Sequence, residues 1–230
     1  MLSEKETGTE GAVLADYAFI TDFDGTLTRE DFYWMVIHTC WPEGEKEYHH
    51  WQNGGMQDVD FLTKAFLQMK NRPAPLEQWV KEIPYDETAI PFLKKLEAEG
   101  IPWYIVSAGA DVYIQLFCEM HGLHPEAVYA NRAEFRDQQI QLFQDPDAPF
   151  YSERYGIDKK LAVRAAASFH KKTCYFGDSG PDALAAGETD LLFARDRLPD
   201  ILKAEGKSFH EADTFEEAGA ALKEKGWPLD

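Results

Sequence analysis

The sequence has 230 residues, 44% hydrophobic and 28% charged, which is globular composition with room for one sizeable α/β domain or a domain with a smaller companion. Acidic residues outnumber basic ones 41 to 23, for a formal net charge of −18. Such a surface repels nucleic acid and anionic membranes, and it forces an anionic substrate to find a local positive site, from a metal or a few placed Lys and Arg. Cys40, Cys118 and Cys174 stand far apart with no CxxC spacing, which argues against a zinc site and predicts free thiols in a reducing compartment.

In chain order, "MLSEKETGTEGAVLAD" (1–16) has neither a basic flank nor an apolar h-region, and it reads as a short acidic tail. With no run of 18 apolar residues either, a soluble cytoplasmic protein is expected. "YAFITDF" (17–23) is the first predicted strand. Residues 30–83 look helical and aromatic with no convincing strand, and hold Trp34, Trp41, Trp51 and Trp79. They read as a small helical domain inserted after the first strand, with turns at Asn53-Gly54-Gly55 and Pro73–Pro75. Its aromatics are expected to form mostly their own core, with Phe32, Trp34 and Met35 nearest the hinge. Adjacent His49 and His50 point differently on any regular element and read as solvated.

The rest alternates. Helical spacing over 88–100, 111–123 and 158–170 is interleaved with apolar runs at 102–109, 172–180 and 190–196 and a weaker one at 127–131. Residues 132–157 are irregular, with alternation around Gln139–Phe143 that suits a small hairpin or flap. This pattern predicts a doubly wound parallel α/β sheet formed by 17–29 and 84–230, with the helical domain inserted at 30–83.

In such sheets ligands sit beyond the carboxyl ends of the strands. Those ends carry Asp22 and Asp24 after the first strand, Ser107 after the second, and Asp178 with Asp182 after the run at 173–177. Asp22 and Asp24, two apart, share a face, and Lys159 opens the helix before the last of these strands. Four acids, a hydroxyl and a lysine converge on one rim. The bland alternatives are a solvated turn for the first pair, a helix N-cap for Ser107, a surface lysine for Lys159 and a helix-terminal charge for Asp182. Convergence on one rim favours a site.

The order and spacing of "DFDGTLT", "VSAG", Lys159 and "GDSGPD" resemble the haloacid dehalogenase-like phosphohydrolases over nearly the whole chain from about residue 17. Residues 30–83 sit where the phosphoserine-phosphatase-like branch carries a helical cap. Within that branch, "DFDGTLT", "YGIDK" and "LLFARDRL" look most like the enol-phosphate phosphatases of methionine salvage. The resemblance implies a Rossmann-like core, a phosphatase of a small phosphorylated metabolite, and Mg²⁺ held by Asp22, the backbone carbonyl of Asp24, and Asp178. A cluster of carboxylate oxygens suits that hard cation. Asp22 is then the nucleophile that forms an aspartyl-phosphate, and Asp24 the acid and base. Asp182 holds a metal-bound water or orients Lys159, while Ser107, Lys159 and the N–H of Ala108 bind phosphate. Ala108 stands where relatives often have glycine. Asp31 and Arg72 are expected to contact substrate, Asp31 because phosphoserine-type relatives place an acid there. The active form is a monomer or homodimer.

Other chemistries fit less well. "GDSGPD" and "IHTC" echo trypsin-like proteases, but those are all-β and disulfide-rich, and no GxSxG, Walker loop or GxGxxG is present. A phospho-acceptor signalling module also combines an acidic pair, Mg²⁺, a hydroxyl and a lysine, yet it needs about half this length and no inserted helices. A binding-only relative keeps the site and loses turnover.

Overall fold

The computed structural model describes residues 15–229, so the tail expected over 1–16 lies outside the described residues except for its last two. From the first strand, β1 (Tyr17–Thr21), the chain leaves the sheet for four helices: α1 (Phe32–Cys40), α2 (Gly44–Gln52), α3 (Asp58–Leu67) and, after a 3-10 turn at Gln68–Asn71, α4 (Leu76–Lys81). It returns through α5 (Ala89–Ala98), β2 (Trp103–Ala110), α6 (Asp111–His121) and β3 (Ala127–Asn131). Two small antiparallel hairpins follow, β4 (Ala133–Arg136) with β5 (Gln139–Leu142) and β6 (Tyr151–Ser152) with β7 (Gly156–Ile157). The last part runs α7 (Lys159–Ala167), β8 (Lys172–Gly177), α8 (Gly180–Ala183), β9 (Leu191–Ala194), α9 (Leu198–Ala204), β10 (His210–Glu211) and α10 (Phe215–Glu224).

Six strands form one all-parallel sheet in the order β10-β9-β8-β1-β2-β3. Alternation along the strands divides the core. Phe19, Ile105, Cys174 and Phe176 cluster with Phe92 of α5, Phe117 of α6 and Phe215 of α10, whereas Ile20, Val106, Tyr175 and Leu192 cluster with Ala162 and Val163 of α7 and Leu202 of α9. With helices on both faces, the central strands become near-continuous apolar runs, which is why they were readable. The helix at 111–123 also stops as expected, on Gly122 at φ 59°, where Leu123 N–H closes back onto the Cys118 carbonyl at 2.9 Å. β10, at two residues, escaped the sequence analysis, as did the β6–β7 hairpin.

The two segments joining the sheet to the inserted helices run side by side. Thr28 and Tyr85 form an antiparallel bridge, flanked by Arg29 N–H on the Pro84 carbonyl (2.7 Å) and Asp86 N–H on the Leu27 carbonyl (3.0 Å). Asp86 is fully buried there. Its Oδ1 accepts from the Thr88 N–H and hydroxyl and meets Arg29 at 3.1 Å, and its Oδ2 accepts from Phe215 N–H at the start of α10. Truncation strands several donors and Arg29 at once, so Asp86→Ala is expected to cost about 3 kcal/mol in urea unfolding, and a loss under 1 kcal/mol would contradict that role.

The inserted helices do not keep their aromatics to themselves. Tyr33, Trp41, Tyr48, Trp51 and Phe61 pack on one another as expected, but Phe32 and Phe66 reach the sheet domain, where both meet Tyr113 of α6. The result is one continuous apolar cluster.

Candidate active site

β8, β1 and β2 lie side by side, so their carboxyl ends deliver Asp178, Asp22 and Ser107 to one spot. Lys159, the first residue of α7, enters from the helix that precedes β8. Its ammonium lies 2.7 Å from Asp22 Oδ2 and 2.7 Å from Asp182 Oδ1. All of these side chains are buried, as is Asp24. Lys160, the rival lysine, is exposed and faces Glu188.

Asp182 does two jobs. Its Oδ1 takes Lys159 and the Tyr175 hydroxyl, and its Oδ2 accepts from the backbone N–H of Asp178 and of Ser179, each at 3.0 Å, as half of a capping box on α8. Asp182 therefore caps α8 and pairs with Lys159 at once. Ser107 lies within β2 and does not cap α6; its Oγ accepts from Gly109 N–H at 3.0 Å and lies 3.5 Å from Asp24 Oδ2.

Asp24 is held at both oxygens. Oδ1 accepts from Phe32 N–H (3.0 Å), an otherwise unpaired donor at the start of α1, and Oδ2 takes the Tyr113 hydroxyl. Burial pushes its carboxyl up from the ordinary 3.8 to about 7, helped by Asp31 and opposed by these two hydrogen bonds. Burial likewise raises Asp22 to about 7, against the pull of Lys159, and puts Asp178 well above the carboxylate range. Asp182 goes the other way: burial opposes its ionisation, but Lys159 overcomes it and holds the group low. Lys159 itself resists burial and stays charged between its two carboxylates.

Four buried carboxylates thus share one ammonium, and the imbalance is local. The Asp178 carboxylate accepts a single hydrogen bond, from Thr26 Oγ1 at 3.0 Å, and has no basic group within ion-pair distance among the described residues. Oxygens of Asp22, Asp178 and Asp182 lie within 4.8 Å of one another. Asp182 takes two partners on each oxygen, whereas Asp22 takes one on each, Phe23 N–H at Oδ1 and Lys159 at Oδ2, and the Asp178 carboxylate takes one in all, so a divalent cation fits at Asp22 and Asp178 with Asp182 behind them. Gly25 makes the room: at φ 78° it turns the chain, and a Cβ there would lie 2.6 Å from Asp178 Oδ2.

The site floors a cleft of about 950 Å³. Ala108 and Gly109 line it beside Ser107; Phe32, Trp51, Met56, Leu62 and Phe66 wall it from the inserted helices; Asp31 and Arg197 face it from the side. Burial raises the Asp31 carboxyl, with the Tyr33 hydroxyl and Arg197 opposing. Arg72 is not brought to the cleft. It pairs twice with Glu82, at 2.7 and 2.6 Å, and lies over the Trp79 ring. A nearby acid and a flat aromatic face hold it on the outside of α4. His49 and His50 are exposed and belong to no acidic or metal-ligating group.

Four contributors went unread in the sequence. Tyr113 and Tyr175 sit inside apolar runs where a tyrosine looks like core, and Thr26 carries no motif signal of its own. Arg154, on the β6–β7 turn, spans the mouth of the cleft: its Nε meets Asp58 at 2.8 Å and its carbonyl accepts Val59 N–H at 3.0 Å.

The family model of the haloacid dehalogenase-like hydrolases matches residues 19–186, which include Asp22, Asp24, Ser107, Lys159, Asp178 and Asp182. The chain belongs to that family. Among the family's proteins, it is 28% identical to a Lysinibacillus sphaericus 2-hydroxy-3-keto-5-methylthiopentenyl-1-phosphate phosphatase, over 77% of this chain and 81% of that one. It is 27% identical to the Saccharomyces cerevisiae polyol phosphate phosphatase PYP1, over 89% and 91%. In fold it is similar to a phosphoserine phosphatase solved as a phospho-aspartyl intermediate analogue, with TM-score 0.64 and 19% identity over 91% of this chain and 99% of that one.

Proposed function

We propose that this haloacid dehalogenase-like hydrolase is a Mg²⁺-dependent phosphatase of a small phosphorylated metabolite, with Asp22 as nucleophile and Asp24 as acid and base. The chain is a phosphoric monoester hydrolase. The observation that carries the assignment of roles is that two carboxylates two residues apart sit in opposite company. Asp22 touches an ammonium, whereas Asp24 touches only the Tyr113 and Ser107 hydroxyls and the Phe32 amide; burial raises both carboxyls to about 7, so it is the ammonium that sets Asp22 apart.

Ser107 Oγ, the Ala108 N–H beside it and Lys159 orient the phosphoryl group over Asp22. Attack by Asp22 gives an aspartyl-phosphate as the leaving oxygen takes the Asp24 proton; Asp24 then accepts a proton from the water that hydrolyses the intermediate. Asp22, the Asp24 carbonyl and Asp178 would hold Mg²⁺, which supplies charge neutralisation for the phosphoryl oxygens. Asp182 and Tyr175 keep Lys159 in place. The inserted helices act as a cap that shuts water out.

For the substrate, the wall of Phe32, Trp51, Met56, Leu62 and Phe66 favours an uncharged group beside the phosphate. That supports an enol phosphate such as the one named for the L. sphaericus relative; Asp31 and Arg197, which also face the cleft, are the partners that the ammonium and carboxylate of phosphoserine would need, so phosphoserine is the second substrate to test. A cytoplasmic location goes with three free cysteines, and no described helix is long and apolar enough to cross a membrane.

The test is phosphate release from a metabolite-phosphate panel with Mg²⁺ or EDTA. Turnover is expected with Mg²⁺ only, highest on the enol phosphate; folded protein inert on the whole panel would sink the proposal. Asp24→Asn gives the sharper mark. On an aryl phosphate it is expected to load Asp22 and then stall, so that intact mass shows phosphorylated protein where the wild type shows none.

A further inference from the structure

We infer that Tyr113 is a positioning residue for Asp24: its buried hydroxyl, on a helix of the sheet domain, sets the orientation of the proton donor against the substrate. The inference rests on the phosphatase reading above. Tyr113 is 1% exposed, and the one side chain its hydroxyl bonds is Asp24, at Oδ2. Its ring stacks on Phe32 with centroids 4.4 Å apart and planes 12° from parallel. Phe32 in turn supplies the N–H on Asp24 Oδ1. The carboxyl is therefore held at both oxygens by two residues that brace each other, one from α6 and one from α1.

A core-filling role would not call for a tyrosine. The rings nearest it are Phe23, Phe32 and Phe66, all without a polar atom. A buried hydroxyl is costly without a partner, so its placement among phenylalanines is explained by the acid it meets. The backbone gives way to that meeting as well. At Gly109, a Cβ would lie 2.0 Å from the Tyr113 hydroxyl and 2.2 Å from Asp24 Oδ2.

In the first half-reaction a bond forms between an Asp22 oxygen and phosphorus, and the bond from phosphorus to the leaving oxygen breaks with its electron pair on that oxygen. The leaving oxygen takes the Asp24 proton, and Asp24 is left a carboxylate that accepts from Tyr113 O–H and Phe32 N–H. An alkoxide needs that proton in place as it departs, but a nitrophenolate leaves without it. Loss of positioning is therefore selective by leaving group, which a loss of packing is not.

The experiment is single-turnover cleavage of an alkyl phosphate and of 4-nitrophenyl phosphate by wild type, Tyr113→Phe, Gly109→Ala and Phe117→Leu. Tyr113→Phe keeps the stacked ring and is expected to slow the alkyl ester about tenfold or more and the aryl ester about twofold at most. Gly109→Ala drives a methyl between the two oxygens and is expected to show the same selectivity. Phe117→Leu disturbs the packing around Phe23 and is expected to lower the melting temperature with the alkyl-to-aryl ratio unchanged. Equal slowing of both esters by Tyr113→Phe, or no slowing of either, overturns the inference while leaving the phosphatase reading intact. A wild type that cleaves neither ester overturns both.

Discussion

Asp22→Asn is expected to cut phosphate release by at least about a thousandfold, while the protein stays folded. Phosphate monoesters are among the most inert of biological bonds, and an amide oxygen cannot open one as a carboxylate can. Little structural loss should accompany the change. Lys159 keeps Asp182 at 2.7 Å, and the substitution removes a carboxylate that burial already drives towards neutrality. The pair of measurements is phosphate release with Mg²⁺ and a thermal melt on the same preparation. Turnover above about a hundredth of wild type in a folded variant would move the nucleophile elsewhere.

The second large effect concerns Asp178, and it runs in opposite directions for stability and activity. Without a cation, Asp22 and Asp178 hold their protons to about 7 and well above the usual range respectively, whereas the unfolded chain ionises near 3.8. Folding then takes up protons, so in EDTA the stability these groups contribute is full below about pH 4 and falls as the pH rises towards and beyond 7. A cation at Asp22 and Asp178 competes with those protons, and the gain in melting temperature on adding Mg²⁺ should therefore grow from pH 5 to pH 8. Asp178→Asn keeps the shape and removes the charge. It is expected to melt higher than wild type in EDTA at pH 8, by an amount worth on the order of 1–3 kcal/mol, to lose the Mg²⁺ gain, and to lose turnover. A Mg²⁺ gain that ignores pH, or that survives in Asp178→Asn, would place the cation on other ligands.

What the sequence disclosed and what it withheld divide along physical lines. The parallel sheet was legible because strands buried on both faces are apolar throughout, and helices between them repeat at their own period. Asp22, Asp24 and Asp178 were legible because charge at the tip of an apolar strand has no structural reason to be there. Tyr113 and Tyr175 were not, since each meets its carboxylate through one atom at the end of a ring that otherwise fills core. Arg72 was misplaced because the acid that holds it, Glu82, lies ten residues on across a turn, and a lone arginine carries no mark of its partner. Arg154 meets Asp58 across 96 residues of chain, a pairing that no local pattern encodes. The helices at 30–83 were read correctly in kind, yet their aromatics proved to be shared with the sheet domain, because amphipathic spacing tells how wide an apolar face is and not what covers it.

That link between Arg154 and Asp58 bears on a population as well as a shape. The polar contacts across the mouth of the cleft are one largely exposed ion pair and one backbone hydrogen bond. Breaking them together costs roughly 1–2 kcal/mol, which by itself, before the apolar contacts behind them are counted, would leave the parted form at roughly 3–15% of the population. A fastening that weak suits traffic: it parts often enough that a small product escapes between cycles, and salt loosens it further by screening the pair. Ionic strength would then act on the exit of product and leave the buried ammonium and its carboxylates largely untouched, so the two ends of one cleft would answer to different solution variables.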